Sequence, residues 1–169
     1  MILSDRHLKE LIVNNHIHIV NPCNIEDIQP NSIDLHLDSK LKTIHNKTID
    51  LKGGSYKLKP YEFILGATFE KVNIPLDLVA HIDGKSSIGR LGVFIHVSSG
   101  FVDSGFRGNL TLEIFNASDK EFTLVEGMPI AQIVFETLTT EVEHPYGDGS
   151  RNNHYQDSEG VVESRYEYE

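Results

Sequence analysis

Residues Gly84 to Asn116 read GKSSIGRLGVFIHVSSGFVDSGFRGNLTLEIFN. Serines, arginines, an aspartate and a glutamate stand in short turns between apolar, alternating runs. A rigid β scaffold places binding and catalytic groups at strand ends and loops of this kind. In Leu110-Thr111-Leu112-Glu113-Ile114-Phe115, a two-residue period puts Leu110, Leu112 and Ile114 on one face. Thr111, Glu113 and Phe115 fall on the other. The leucine face is the core face. Glu113 then either points to solvent or lines a cleft, and alternation does not decide between the two. In a partly desolvated cleft a carboxylate is held closer to its protonated form and can shuttle protons near neutral pH.

The same punctuation extends in both directions. Ile33, Leu35 and Leu37 alternate with Asp34, His36 and Asp38, and Tyr56 and Leu58 alternate with Lys57 and Lys59. Further candidate strands are 62–69, 78–82, 93–97, 110–115, 122–125 and 129–137. Turn residues such as Gly53-Gly54 separate them at short intervals, which argues for an all-β barrel or sandwich. Before them, Ser4 and the segment Asp5 to Ile12 read as an N-cap and one amphipathic helix with Leu8, Leu11 and Ile12 buried. Asn21-Pro22 and Gln29-Pro30-Asn31 signal turns. The chain divides into a β domain over residues 1–145 and a polar segment over 146–169. That segment is either a frayed terminus or a lid that orders over a ligand.

The chain has 169 residues, enough for one domain with a real core. Its formal net charge of −10 disfavours nucleic acid as the main partner but leaves room for a small anion held by a local cationic cluster. No apolar run approaches the roughly 18 residues that span a membrane. The apolar residues of the first twelve are interrupted by charges, unlike a signal peptide. Cys23 is the single cysteine, so no internal disulfide forms, and a reducing, cytoplasmic compartment is expected.

Gly84-Lys85-Ser86-Ser87 lacks the first glycine of a Walker loop, because Val79 stands in its place. What remains is a turn with two hydroxyls, an ammonium and Arg90 nearby, read either as a plain surface turn or as a phosphate nest. Asp103, before Ser104-Gly105, is by itself an ordinary turn residue or an acceptor for a ligand hydroxyl. His16 and His18 alternate but have no third ligand at the usual spacing, so no metal site is assigned to them. His96 reads as a structural histidine. Zinc deaminases need a His/Cys/Cys or three-cysteine set with an H-x-E and P-C-x-x-C signature, which this sequence lacks. Any deamination here would have to activate water without zinc.

Several segments resemble one family. Met1-Ile2-Leu3-Ser4-Asp5, Gln29-Pro30-Asn31-Ser32-Ile33-Asp34-Leu35, Leu58-Lys59-Pro60, Gly84 to Gly92, Gly108 to Glu113 and Gly127-Met128-Pro129-Ile130-Ala131-Gln132 are together similar to the dCTP deaminases of the dUTPase-like superfamily. The resemblance implies a homotrimer of distorted, β-clip or jelly-roll-like barrels with sites at subunit interfaces. It implies dCTP as substrate, with Mg²⁺ carried on the triphosphate, and dTTP as an inhibitor. Glu113 would be the proton shuttle, with Arg90 and Ser86 holding the water and polarising the intermediate. Ser99 would orient the water through its backbone, and Asp103 would take the 3′-hydroxyl. Lys85, Ser86 and Ser87 would contact phosphates of a nucleotide bound to the neighbouring subunit. Thr111, Tyr146, His154 and Gln156 complete the implied substrate contacts.

Gly100-Phe101-Val102-Asp103 is similar to members that run on from dCTP to dUMP and pyrophosphate. Monofunctional dUTPases usually lack a glutamate at the place of Glu113. Ser98-Ser99 replaces the usual Thr-Ala, and His154 replaces a lysine, which implies a weaker grip on phosphate. Glu159 brings a negative charge to a segment expected near phosphates.

Overall fold

The computed structural model of the chain describes residues 1–13, 20–98, 100–151 and 153–166. His16, His18 and Ser99 therefore lie outside the described residues. In chain order the elements are α1 (Asp5–Val13), β1 (Val20–Asn21), a 3-10 turn at Ile25–Asp27, β2 (Ile33–His36), β3 (Lys40–Lys42), β4 (Thr48–Asp50), β5 (Ser55–Leu58) and β6 (Phe63–Asn73). They continue with β7 (Leu78–Gly84), α2 (Ser86–Gly89), β8 (Val93–Phe94), β9 (Phe101–Val102), β10 (Arg107–Asn116), β11 (Phe122–Val125) and β12 (Pro129–Thr137).

Three antiparallel sheets enclose the core. The largest runs β4-β3-β6-β10-β8, with β1 also on β6; a second runs β2-β12-β7-β9; and β11 pairs β5. Period-2 patterning builds them: Ile33, Leu35 and Leu37 are fully buried, as are Leu112 and Ile114 on β10. Burying one such side chain stabilises the fold by about 1.5–3 kcal/mol relative to leaving it exposed. On α1, Leu8 is buried, and Leu11 and Ile12 pack against the same core.

β10 and β6 form the longest pairing, and its register shifts between Asn109 and Thr111. Thr68 fills the irregularity. Its hydroxyl accepts from the Leu110 amide at 3.0 Å and donates to the Glu70 carbonyl at 2.7 Å. A bulge re-aims the side chains beyond it. Here it leaves Asn109 and Leu110 both buried, while Thr111, Glu113 and Phe115 emerge half-buried on the opposite face from Leu112 and Ile114.

The segment after Pro145 lies on the barrel. The Asp157 amide donates to the Arg107 carbonyl at 2.8 Å, and the Asn109 amide donates to the Ser158 carbonyl at 2.9 Å. Gly108 and Ser158 thus form a parallel bridge. Gly108 has φ +138°, and a β-carbon there would stand 2.7 Å from the Ser158 backbone, so only glycine admits the approach. Among the described residues no helix is long and apolar enough to cross a membrane.

Candidate active site

The β10 strip forms the floor of a cleft of about 740 Å³. Glu113 stands directly opposite Leu65 of β6, and Phe115 opposite Phe63. The carboxylate therefore sits on an apolar floor. Its Oε2 accepts a hydrogen bond from the Val97 amide at 3.2 Å, in the segment that follows β8. The cleft is also lined by His96, Ser98, Asp103, Thr111, Tyr146 and the tail residues Tyr155 to Tyr166 that border it. This places Glu113, Asp103, Thr111 and Tyr146 together in one cavity.

Asp103 is exposed at the turn between β9 and β10. β9 reaches that turn only because residue 100 is glycine. A β-carbon on Gly100 would stand 2.2 Å from the Ile82 carbonyl oxygen. Tyr146 packs edge-on to Phe106, with ring centroids 5.6 Å apart. Its hydroxyl accepts from the Tyr155 amide at 3.0 Å, so the ring is fixed from both ends.

The tail closes one side of the cleft. The Thr111 hydroxyl accepts from the Val162 amide at 3.2 Å. Asn109 donates to the Thr68 and Glu70 carbonyls at 2.9 and 3.1 Å, and its carbonyl accepts from Gly160 N–H at 3.0 Å. The Gln156 amide group donates to the Gly105 carbonyl at 2.9 Å and accepts from Arg107 N–H at 3.0 Å. Gln156 thus fastens the tail in this structure. Glu159, expected near phosphates, pairs instead with Lys71 at 2.8 Å. His154 is exposed, edge-on to Tyr155 at 6.1 Å.

Six of the expected residues do not border this cleft: His154 and Gln156 in the tail, and four at α2. Ser86, Ser87 and Arg90 lie on or just after α2, are exposed, and do not border this cleft. Lys85, which caps α2, is turned inward, and its ammonium is bound by the Asp34 carboxylate on β2. Beside α2 the surface is apolar: Leu91, Phe94, Val97 and Phe101 are each more than half exposed.

Sequence reasoning did not find the apolar floor of Phe63 and Leu65, the Thr68–Asn109 bulge, or the tail anchors Lys42 and Glu163. No local spacing links these residues, because the contacts join distant strands.

A sequence profile of the dCTP deaminase-like family matches residues 2–138. The chain belongs to that family. It is 37% identical to a protein of Mycolicibacterium vanbaalenii named dCTP deaminase, dUMP-forming, over 98% of this chain and 95% of that protein. It is 40% identical to a Methanobrevibacter smithii protein of the same name, over 91% of this chain and 89% of the other. Among solved structures, the 2′-deoxycytidine 5′-triphosphate deaminase of Agrobacterium tumefaciens shares the fold at a TM-score of 0.68 and 23% identity. The match covers 80% of this chain, which spans about half (47%) of that longer one. The EIAV dUTPase aligns at a TM-score of 0.52 and 18% identity, over 80% of this chain and 97% of its own. The family's fold is thus the dUTPase-like β fold expected from the sequence.

Proposed function

We propose that this chain hydrolyses dCTP, as its Mg²⁺ complex, to dUTP and ammonia, and carries the product on to dUMP and pyrophosphate. The observation that carries the reading is Glu113, a half-buried carboxylate on the polar strip of β10, set over Leu65 and Phe63 in a cleft of nucleotide size. Relatives named dUMP-forming across nearly the whole chain support the second half of the sequence of reactions.

The chemistry follows from one carboxylate acting twice. Glu113 takes a proton from water as the oxygen adds to C4 of cytosine, and passes it to N3. A second proton then travels from the new hydroxyl through Glu113 to the exocyclic nitrogen. The C4–N bond breaks, ammonia leaves, and C4 keeps a carbonyl. A base that becomes an acid in this way contributes roughly 10²–10⁴-fold. Arg90 cannot lose its proton, so it stabilises the negative charge that develops throughout. Asp103 takes the 3′-hydroxyl, and Tyr146 faces the sugar and phosphates.

Arg90, Ser86 and Ser87 project outside the chain's own cleft, next to the exposed Leu91 and Phe94. They serve a neighbouring subunit's cleft in a homotrimer, and the segment from Tyr146 onward acts as the lid. Mg²⁺ would come as part of the substrate, held on its triphosphate, and would offset the charge of the pyrophosphate leaving group.

The deciding experiment measures ammonia and pyrophosphate from Mg²⁺–dCTP and, separately, from Mg²⁺–dUTP. Equal release of both products from dCTP is expected. Ammonia alone removes the second step. Pyrophosphate from dUTP with no ammonia from dCTP makes the protein a dUTPase. Binding with neither product makes it a nucleotide sensor.

A further inference from the structure

Three residues lie in one row across the largest sheet. Lys42 of β3 is paired with Leu65 of β6, and Leu65 is paired with Glu113 of β10. Residues directly opposite each other in antiparallel strands project from the same face. With neighbouring strands about 4.8 Å apart, the Cα atoms of Lys42 and Glu113 are about 10 Å apart. Only the short Leu65 side chain stands between a long flexible ammonium arm and the carboxylate. In the structure that arm is engaged by the tail. The Lys42 ammonium is bound by Glu163, which comes from the tail and lines the same cleft as Glu113. The hydrogen bond from Lys42, more than its charge, also holds the Glu163 carboxyl below its ordinary range.

We infer that Glu163 and Glu113 are alternative partners of Lys42, so that docking of the tail withdraws a positive charge from the proton-shuttling carboxylate. The inference rests on the deaminase reading of Glu113. With the tail lifted, Lys42 swings across Leu65 to Glu113 and holds it ionised, because a nearby opposite charge favours the charged form. A carboxylate stabilised in its charged form is a weaker base and takes the proton from water less readily. With the tail down, Glu163 takes the ammonium, and Glu113 is left with the Val97 amide over its apolar floor. Chemistry is thereby tied to closure. Lys42 and Glu163 are positioning residues, since they act through Glu113 and not on the substrate.

Among the described residues of one chain the other groups that face Glu113 are few, and the Arg90 proposed to come from a neighbouring subunit is a constant charge, the same with the tail up or down. β6 offers Phe63 and Leu65, which do not titrate. The segment after β8 offers His96, the turn after β9 offers Asp103, and the tail side offers Tyr146, Tyr155 and Tyr166. None of these is exchanged between two carboxylates as Lys42 is.

The variants Glu163→Gln, Lys42→Met and the double variant separate this exchange from a simple latch. Glu163→Gln frees Lys42 with the rest of the tail intact. Its kcat for ammonia release from Mg²⁺–dCTP is expected to fall roughly tenfold, and the acid limb of its pH–rate profile to move down by about one unit or more. Lys42→Met is expected to raise KM, because the tail loses an anchor, while kcat and the acid limb stay where they are. The double variant regains the kcat lost by Glu163→Gln, and Glu163→Asp keeps the parent profile. A latch alone predicts the reverse: both single variants raise KM alike, the profile does not move, and the double variant is no better. That outcome overturns the exchange. The ¹³C carboxyl titration of Glu113 in parent and Glu163→Gln protein reads the same charge without turnover. A titration that does not move overturns the exchange even in a protein that deaminates. A parent that releases no ammonia overturns the deaminase reading instead.

Discussion

The ammonium of Lys85 is bound by the carboxylate of Asp34, which also accepts from Gln29 at 3.3 Å. The pair joins β2 to the residue that caps α2, and both side chains are mostly buried. The family resemblance gives Lys85 a contact with phosphates across a subunit interface. In this structure its ammonium is paired within the barrel, where it fixes the corner that presents Ser86, Ser87 and Arg90.

Removing one member of a mostly buried pair leaves the other charge uncompensated. Asp34→Asn is expected to destabilise the protein by about 2–4 kcal/mol, somewhat below the cost at a fully dry site. Urea unfolding measures it. Adding Lys85→Met to Asp34→Asn should recover more than half of the loss. A double variant as unstable as Asp34→Asn would show that the pair is not what Asp34 contributes.

Glu113→Gln keeps the shape of the cleft and removes the carboxylate proposed as the proton shuttle. Ammonia release should fall by roughly 100-fold or more. Nucleotide affinity, measured by calorimetry with Mg²⁺–dCTP, should stay within about fivefold, since one lost hydrogen bond is worth about 1 kcal/mol. Parent-like turnover of the variant would remove Glu113 from the reaction.

The separation of Arg90 from the cleft gives a complementation test. Glu113→Gln and Arg90→Ala should each be inactive as pure proteins. Mixed by unfolding and refolding together, they should regain part of the activity, because some interfaces then hold both native residues. Mixtures that stay inactive would mean that Arg90 and Glu113 act within one chain.

Glu159 and Glu163 are both held below the ordinary carboxyl value of 4.5, by Lys71 and Lys42 respectively. A group whose value is lowered on docking supports docking above 4.5 and loses that support as pH falls through the lowered value. The tail should therefore loosen on acidification below about 4.5, not on alkalinisation. Both pairs are exposed enough for salt to screen them, so added salt at neutral pH should act in the same direction. Hydrogen exchange at the amides of Asp157 and Val162 reads both effects.

Burial, reinforced by the carboxylates of Asp27 and Glu70, pushes the Cys23 thiol from 9.0 up to about 11. The thiolate is the reactive form, so iodoacetamide should label the native protein at pH 8 roughly 100-fold more slowly than an ordinary thiol. Unfolding in urea should restore the ordinary rate.

The β10 strip was legible because its alternation is uninterrupted from Leu110 onward, and Leu112 and Ile114 are buried as that pattern requires. Alternation says nothing of what lies above the opposite face. The floor of Phe63 and Leu65, which turns Glu113 from a surface acid into a cleft acid, comes from pairing with β6. β6 itself extends past the expected end at residue 69 to Asn73, because its outer residues are paired by β1 and by the start of β10. β3 and β4 were missed, since three-residue strands carry too little pattern to stand out. The tail reads in sequence as either a frayed terminus or a lid, with no sign of where it docks. Its anchors are backbone bonds to the β10 edge and single side chains far away in sequence, and neither leaves a periodic trace.

The Asp157–Ser158 backbone fills the strand edge that β10 would otherwise present between Arg107 and Asn109. An open edge of this kind pairs readily with any other extended chain. If the tail lifts as proposed for a lid, it bares a short adhesive seam. On that proposal, a nucleotide that keeps the tail closed also protects the molecule from sticking to its own kind, and starvation for substrate becomes a hazard to solubility as well as an idle state.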